Sequence, residues 1–277
     1  MNFRLNRPLG WCLNRRLKRA ALLLCLVLIV AACAKAAYTN RSQLLLISEG
    51  QEMQLGLQAS QDVKKTEKMS SDQVQTERVR RVGRRIAVAA NKPEYKWEFN
   101  LIEKDTVNAF CLPGGKVFVY TGILDLATSN DELAAIMGHE IAHALVRHGG
   151  ERMSMALMAQ FGGQAASIAL GSAVSPVAGQ VFGQAYGVGS QVGFLLPHSR
   201  SQESEADEVG MIIAAQAGYE PAGALTLWQK MDAYSTKKGQ SPPAFLSTHP
   251  PSKERIKDIQ AKMGAIRAKY YQQQLLN

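Results

Sequence analysis

Gly138-His139-Glu140-Ile141-Ala142-His143 reads as His-Glu-x-x-His set inside an apolar stretch. On a helix His139 and His143 lie about 40° apart around the axis on consecutive turns, so both imidazoles can reach one ion. Glu140 sits about 60° from His143, close enough to take a proton from water at that ion without holding the ion itself. Zinc suits such a donor pair. The competing reading is two core histidines and a stray glutamate. Working outward, Ser129 with Glu132 forms a capping box for a helix expected to run through His148. Leu133, Ile136, Met137, Ile141 and Leu145 line one side, and the other faces carry mainly Ala, Gly and Val. A helix apolar nearly all round is buried, so the metal helix is also the core helix. On that helix His148 falls about 140° from His143, outside the site. An extended three-histidine motif would need glycine at 146 and histidine at 149, where Val146 and Gly149 stand.

Two histidines leave zinc short of the three protein ligands of a catalytic site. Residues 201–217 read as a further helix, ended by Gly218 with Pro221 beyond. Within it Glu203 and Asp207 share a face with Met211 and Ala214, so two carboxylates point where an apolar helix should pack. Burial of those charges requires a partner, and a metal ion provides one. Glu203 is the expected third ligand, and Asp207 is expected to hydrogen-bond a ligand histidine from behind. Glu205, about 200° from Glu203, is expected to face water.

The chain has 277 residues, 46% of them hydrophobic, enough to bury a full core in one principal domain. Its formal charge of +9 suggests a nucleic-acid partner until its distribution is read. Arg4, Arg7, Arg15, Arg16, Lys18 and Arg19 precede residue 33 and no acidic residue does, so the remainder carries 26 basic against 23 acidic side chains. Nucleic acid is therefore not an expected partner. The thirteen residues 20–32 are mostly apolar, short for a membrane span and suited to a secretory signal. They end Val30-Ala31-Ala32-Cys33, which resembles the lipobox of bacterial lipoproteins, whose cysteine is lipidated. The expected organisation is a signal peptide over 1–32, a lipidated tether over 33–40 and the principal domain, which carries the metal motif, over 41–277. Several acyl chains on Cys33 would anchor firmly. Ala34, in place of Asp, resembles the class sorted to the periplasmic face of the outer membrane; an inner-membrane anchor is the alternative. Cys12 and Cys25 leave with the signal, so Cys111 remains alone, a buried small hydrophobe rather than a disulfide partner.

Residues 42–65 read as a mixed helical stretch and 71–91 as a clearer helix, with Val74, Val79, Val82 and Ile86 as an apolar stripe among arginines. Tyr95, Trp97, Phe99 and Leu101 alternate with polar residues as in a half-buried strand. Residues 107–112, Pro113-Gly114-Gly115 and 116–121 read as strand, tight turn, strand. A small antiparallel sheet directly before the metal helix follows. In zinc proteases generally, an edge strand beside the metal pairs with extended substrate through backbone hydrogen bonds. Residues 153–196, rich in Gly, Ala, Ser, Gln and Met, read as helices and loops beside the cleft, either a lid or plain packing. Residues 222–234 and 252–277 read as two further packing helices.

Val107-Asn108-Ala109-Phe110, Pro113-Gly114-Gly115, His139-Glu140-x-x-His143, Glu203-x-x-x-Asp207 and Thr248-His249-Pro250 stand in the order of a known pattern. It resembles the zinc metallopeptidase family that includes CAAX prenyl protease and HtpX, most of all its LoiP-like periplasmic lipoprotein branch, over roughly residues 40 to 265. The resemblance implies a gluzincin-like α+β fold, mainly helical, with a small antiparallel sheet over the active-site helix. It implies one zinc ion held by His139, His143 and Glu203, with Glu140 as base and Asp207 in support. It also implies a substrate cleft bordered by Asn108, Ala109, Phe110, Pro113, Gly114 and Gly115. Catalytic roles extend to His249 and Arg255; His249 either binds the transition-state oxyanion or swings in as a fourth ligand and blocks water, the alternative being a surface histidine before Pro250 that takes no part. The implied activity is endopeptidase action on misfolded or misassembled envelope proteins. The alternative is a zinc-containing lipoprotein that serves as a chaperone or assembly factor for outer-membrane proteins.

Overall fold

The computed structural model of the chain describes residues 33–169, 198–236, 244–250 and 253–271; the expected signal, and the expected lid beyond residue 169, lie outside them. The first described residues form an antiparallel hairpin, β1 (Cys33–Lys35) with β2 (Ser42–Leu44), turned through Tyr38 and Asn40 at positive φ. Helix α1 (Glu49–Thr66) follows, opened by a capping box of Ser48 and Gln51. The mixed stretch expected over 42–65 thus divides into a strand and a helix at its cap. Helix α2 (Gln73–Ala90) starts on Asp72 and ends on Asn91 in the left-handed conformation. Val79, Val82 and Ile86 are fully buried, whereas Val74 in the first turn is 77% exposed, so the apolar stripe is one turn shorter than its pattern.

Three strands make the sheet: β3 (Glu98–Ile102), β4 (Ala109–Leu112) and β5 (Lys116–Tyr120), in the order β3-β5-β4. β4 and β5 are the expected antiparallel hairpin, closed by Gly114 and Gly115, both near φ +80° where an L side chain is strained. β3, however, pairs with β5 in parallel, so the sheet is mixed. Its neighbour is the second arm of the hairpin, and β4 is left at the edge.

A short helix, α3 (Thr121–Leu124), leads to the central helix α4 (Asn130–Leu145). Ser129 Oγ accepts from the Glu132 amide at 3.1 Å, and the Glu132 carboxylate accepts from the Ser129 amide at 3.0 Å. Helix α5 (His148–Ala169) leaves α4 at a sharp break. Helices α6 (Arg200–Gln216), α7 (Ala222–Ser235), the short α8 (Ala244–Thr248) and α9 (Lys253–Tyr270) complete the described chain. α4 lies in the middle, with Leu133, Ile136, Met137 and Ile141 wholly buried among side chains of α2, the sheet, α6 and α7. The fold is therefore mainly helical with a small sheet beside the metal helix, as expected. Among the described residues no helix is long and apolar enough to cross a membrane.

The expected tether, residues 33–40, meets this domain through Ala36, while Lys35, Ala37, Tyr38 and Asn40 stay exposed. Ala36 is buried with Ala142 of α4, with Val146 just past its end, and with Ala206 and Val209 of α6. Small side chains on both helices leave a groove that the N-terminal arm fills.

Candidate metal centre

α4 and α6 touch backbone to backbone. A Cβ on Gly210 would stand 2.8 Å from the His139 nitrogen, and one on Gly138 would stand 2.8 Å from the Gly210 oxygen. This approach brings Glu203, two turns before Gly210, opposite His139 and His143. The Nε2 atoms of the two histidines are 3.1 Å apart. Glu203 Oε1 is 3.3 Å from His143 Nε2, and Glu203 Oε2 is 3.5 Å from His139 Nε2. His249, just after α8, adds its Nδ1, at 3.1 Å from His139 Nε2 and 3.0 Å from Glu203 Oε1. All four residues are buried, and their donor atoms form one group able to hold an ion.

The spacing fits a tetrahedral metal. Ligands at about 2.0–2.1 Å from an ion stand about 3.3 Å from one another, close to the separations found. The charges fit as well. Burial disfavours charge on His139, yet the carboxylates of Asp207 and Glu203 outweigh it and hold the ring's pKa up at about 10. Burial pushes His143 well below its ordinary value, reinforced by the neighbouring His139. Glu203, although buried, is held well below the carboxylate range by His249, His139 and His143. A buried site whose ionised carboxylates draw their countercharge from imidazoles is one that a divalent cation relieves. Glu140, also buried, is pushed above its ordinary value by desolvation; its Oε1 makes no hydrogen bond among the described residues and lies 3.3 Å from His249 Nε2.

Asp207 stands where expected, its Oδ1 2.9 Å from His139 Nδ1. Arg255, expected among the catalytic residues, is placed behind the donors instead. Its Nε and one terminal nitrogen both bond Asp207 at 2.8 Å, the other terminal nitrogen is 2.7 Å from Glu203 Oε2, and its guanidinium covers the Trp228 ring at 3.9 Å. The group braces both carboxylates and also donates to the Pro250 carbonyl at 3.1 Å, because the first turn of α9 packs directly over α6. His249 is held by a stack on Phe245 with ring centroids 4.4 Å apart.

Of the expected cleft border, Asn108 is buried and turns its side chain back to the Ala109 amide, while Ala109 and Phe110 lie on the edge strand β4. Pro113, Gly114 and Gly115 do not border open space. The turn is buried under Met53 and Gly56 of α1 and against Trp97, since the glycines admit those neighbours at van der Waals contact. Cys111 is buried, its thiol pushed up by desolvation.

Two further expectations are corrected. α4 ends at Leu145, not beyond His148, because Arg147 takes φ +59° with its guanidinium tied to the buried Glu52 and to the Ile47 carbonyl. The break swings His148 back, and its Nδ1 lies 2.7 Å from His143 Nδ1. Glu205 does not face water: it is buried, accepting from Thr39, from Arg41 Nε at 2.6 Å and from His148 Nε2 at 2.9 Å. The arm over residues 34–44 covers the face of α6 that a helix alone would leave exposed. His198, unmarked in the sequence apart from its place just before α6, lies over His143 with centroids 3.8 Å apart.

Two histidines and a glutamate from crossed helices, with a second buried glutamate beside them and an edge strand alongside, define a centre of the metallopeptidase class. The family model described as Peptidase family M48 matches residues 73–263, and the chain belongs to that family. Mitochondrial metalloendopeptidase OMA1 of Schizosaccharomyces pombe is 40% identical over 182 residues, 66% of this chain and 51% of the relative. The protein of the same name from Saccharomyces cerevisiae is 34% identical over 172 residues, 59% and 46% of the two chains. The beta-barrel assembly-enhancing protease of Escherichia coli is 28% identical over 224 residues, covering 80% and 45%. The chain spans about half the length of these relatives.

Proposed function

We propose that the protein is a zinc endopeptidase, anchored through Cys33 at the periplasmic face of the outer membrane, that cleaves misfolded or misassembled envelope proteins. The observation that carries the reading is the convergence of His139, His143 and Glu203 within 3.5 Å of one another beside the buried carboxylate of Glu140, whose Oε1 makes no hydrogen bond among the described residues. Zinc, when held there, supplies the Lewis acidity that activates water and polarises a scissile carbonyl. Glu140 accepts the proton of the attacking water at its carboxylate and delivers it to the leaving amine, a task that its raised pKa suits. Asp207 keeps the proton of His139 on Nδ1, so Nε2 presents a lone pair. β4, at the sheet edge, offers its backbone to an extended peptide. The lipobox supports the anchor. The name of the Escherichia coli relative, which acts in β-barrel assembly, supports the envelope substrate class; the LoiP-like branch and the envelope location rest on these two features.

His249 stands at the fourth donor position and interposes its ring between the donors and Glu140. This favours the self-blocking of the two roles read for it: the resting site is closed, and withdrawal of residues 249–250 opens it. The same closed set of four also favours the second reading, a zinc-containing assembly factor without turnover, since structural zinc sites are closed. Glu140 separates the two. The full chain in detergent is expected to hold one zinc per chain, and either it or its His249→Ala variant is expected to digest casein in a chelator-sensitive way. Adding Glu140→Gln to the active form should retain zinc and lower the rate by about 10²–10⁴-fold. Undiminished digestion by that variant would overturn the assignment of the base; zinc binding with no digestion by either form would favour the assembly factor.

A further inference from the structure

His143 reaches the donor cluster through Nε2, so its Nδ1 must be fixed by something else. For His139 that partner is Asp207, whose charge Arg255 offsets. For His143 it is another imidazole: His148 Nδ1 lies 2.7 Å away, and His148 Nε2 lies 2.9 Å from Glu205 Oε2. Proton bookkeeping then leaves one neutral arrangement. An ionised Glu205 only accepts, so His148 Nε2 carries the hydrogen. His148 Nδ1 is then a bare acceptor, so His143 Nδ1 carries the hydrogen and donates it. His143 Nε2 is left as a lone pair aimed at the cluster. Arg41 and Thr39, on the arm just after Cys33, hold Glu205 from its other side, and Arg41 also grips Glu151 at 2.8 Å. His148 is wholly buried, so water does not replace it.

We propose that His148 and Glu205 are positioning residues for His143, an imidazole–carboxylate relay that fixes its tautomer and ring angle for metal binding, with the countercharge supplied by Arg41 of the N-terminal arm. The proposal rests on the zinc reading above. Partners of this kind are worth about 10–100-fold in metal affinity when they lie directly behind a ligand.

The test replaces His148 in the full chain and measures zinc affinity by competition with a chromogenic chelator, alongside Tm of the metal-free protein. Asn at 148 places Oδ1 near the position of the imidazole Nδ1 and still accepts from His143, so His148→Asn should bind zinc within about threefold of wild type. His148→Phe fills the space but accepts nothing, and should weaken zinc binding about 10–100-fold. A packing role predicts wild-type affinity in both variants and, in Tm, a loss for His148→Asn but not for His148→Phe. Should His148→Phe fail to fold, Glu205→Leu, which removes the acceptor of the His148 proton, should weaken zinc binding about tenfold. Wild-type affinity in His148→Phe or Glu205→Leu, or equal losses in the Phe and Asn variants, overturns the relay. So does a wild-type stoichiometry of two zinc ions with one lost in His148→Asn, which would make the imidazoles of His143, His148 and His198 a second site. Failure of wild type to bind zinc at all would instead sink the zinc reading itself.

Discussion

Gly210→Ala tests whether helix spacing sets the metal geometry. The added methyl would stand 2.8 Å from the His139 nitrogen and 3.0 Å from both the Gly138 carbonyl carbon and the His139 Cα, all backbone atoms that cannot rotate away. Ordinary van der Waals contact begins at 3.4 Å, so α4 and α6 must part by about 0.6 Å. That is about three times the 0.2 Å tolerance of metal–ligand distances. The helix gains about 0.5–1 kcal/mol from losing a glycine, while overpacking costs about 1–3 kcal/mol, so the net loss of stability is about 1 kcal/mol and the fold survives. Zinc affinity should suffer more than stability, falling at least about tenfold, because Glu203 rides on α6 and both histidines on α4. Chelator competition for zinc and thermal unfolding of the metal-free chain read the two effects separately. Gly264→Ala is the control: nothing lies within 4 Å of its Cβ on α9, so it should raise stability by about 0.5–1 kcal/mol and leave zinc binding unchanged. Wild-type zinc affinity in a folded Gly210→Ala variant would refute the claim that this backbone contact places the third ligand.

Three further outcomes are expected. His249→Ala should raise the rate of casein cleavage severalfold if the ring blocks the site and lower it if the ring binds the oxyanion; the geometry at the fourth position favours the rise, and a fall would exclude self-blocking. Burial pushes the Glu132 carboxyl up, but Lys230 at 2.6 Å, the Ser129 amide and Thr128 outweigh it and hold the group below its ordinary 4.5. Its ionised form therefore stabilises the fold above pH 4.5, and the contribution fades as pH falls through 4.5 toward the lower folded value. Glu132→Gln should accordingly cost about 1 kcal/mol at pH 7 and progressively less below pH 4.5, seen in denaturant titrations at both; a pH-independent difference would contradict this. Cys111, buried with its thiol pushed up, should react with a thiol reagent at pH 8 only as fast as the native chain opens, and immediate labelling would show that β4 is open.

Features that depend on neighbours in sequence were legible. The Ser129 box, the spacing of His139 and His143, and two carboxylates on the packed face of α6 each follow from a period of 3.6 residues. The misreadings share one cause, contacts between residues far apart in the chain. Nothing local ends α4 at Leu145; the left-handed Arg147 is held by Glu52, 95 residues earlier. A helical wheel places Glu205 opposite Glu203 and infers solvent there. Both faces of α6 are in fact covered, one by α4 and the other by an arm more than 160 residues away. The parallel pairing of β3 with β5 is likewise a choice of partner, not of pattern.

His139 and His143 are therefore braced from opposite ends of the chain. His139 leads through Asp207 to Arg255 on α9, and His143 leads through His148 and Glu205 to Arg41 on the arm. The family match begins at residue 73, so it includes both histidines, both carboxylates and Arg255 but leaves Arg41 outside. A buried carboxylate that loses its cation is costly, so Glu205 without Arg41 would draw its charge balance from His148 and disturb the bond that His148 makes to His143. On this argument residues 34–44 belong to the metal centre as much as α9 does. Arg41→Ala should then weaken zinc binding where Thr39→Ala, which leaves the charge balance intact, does not.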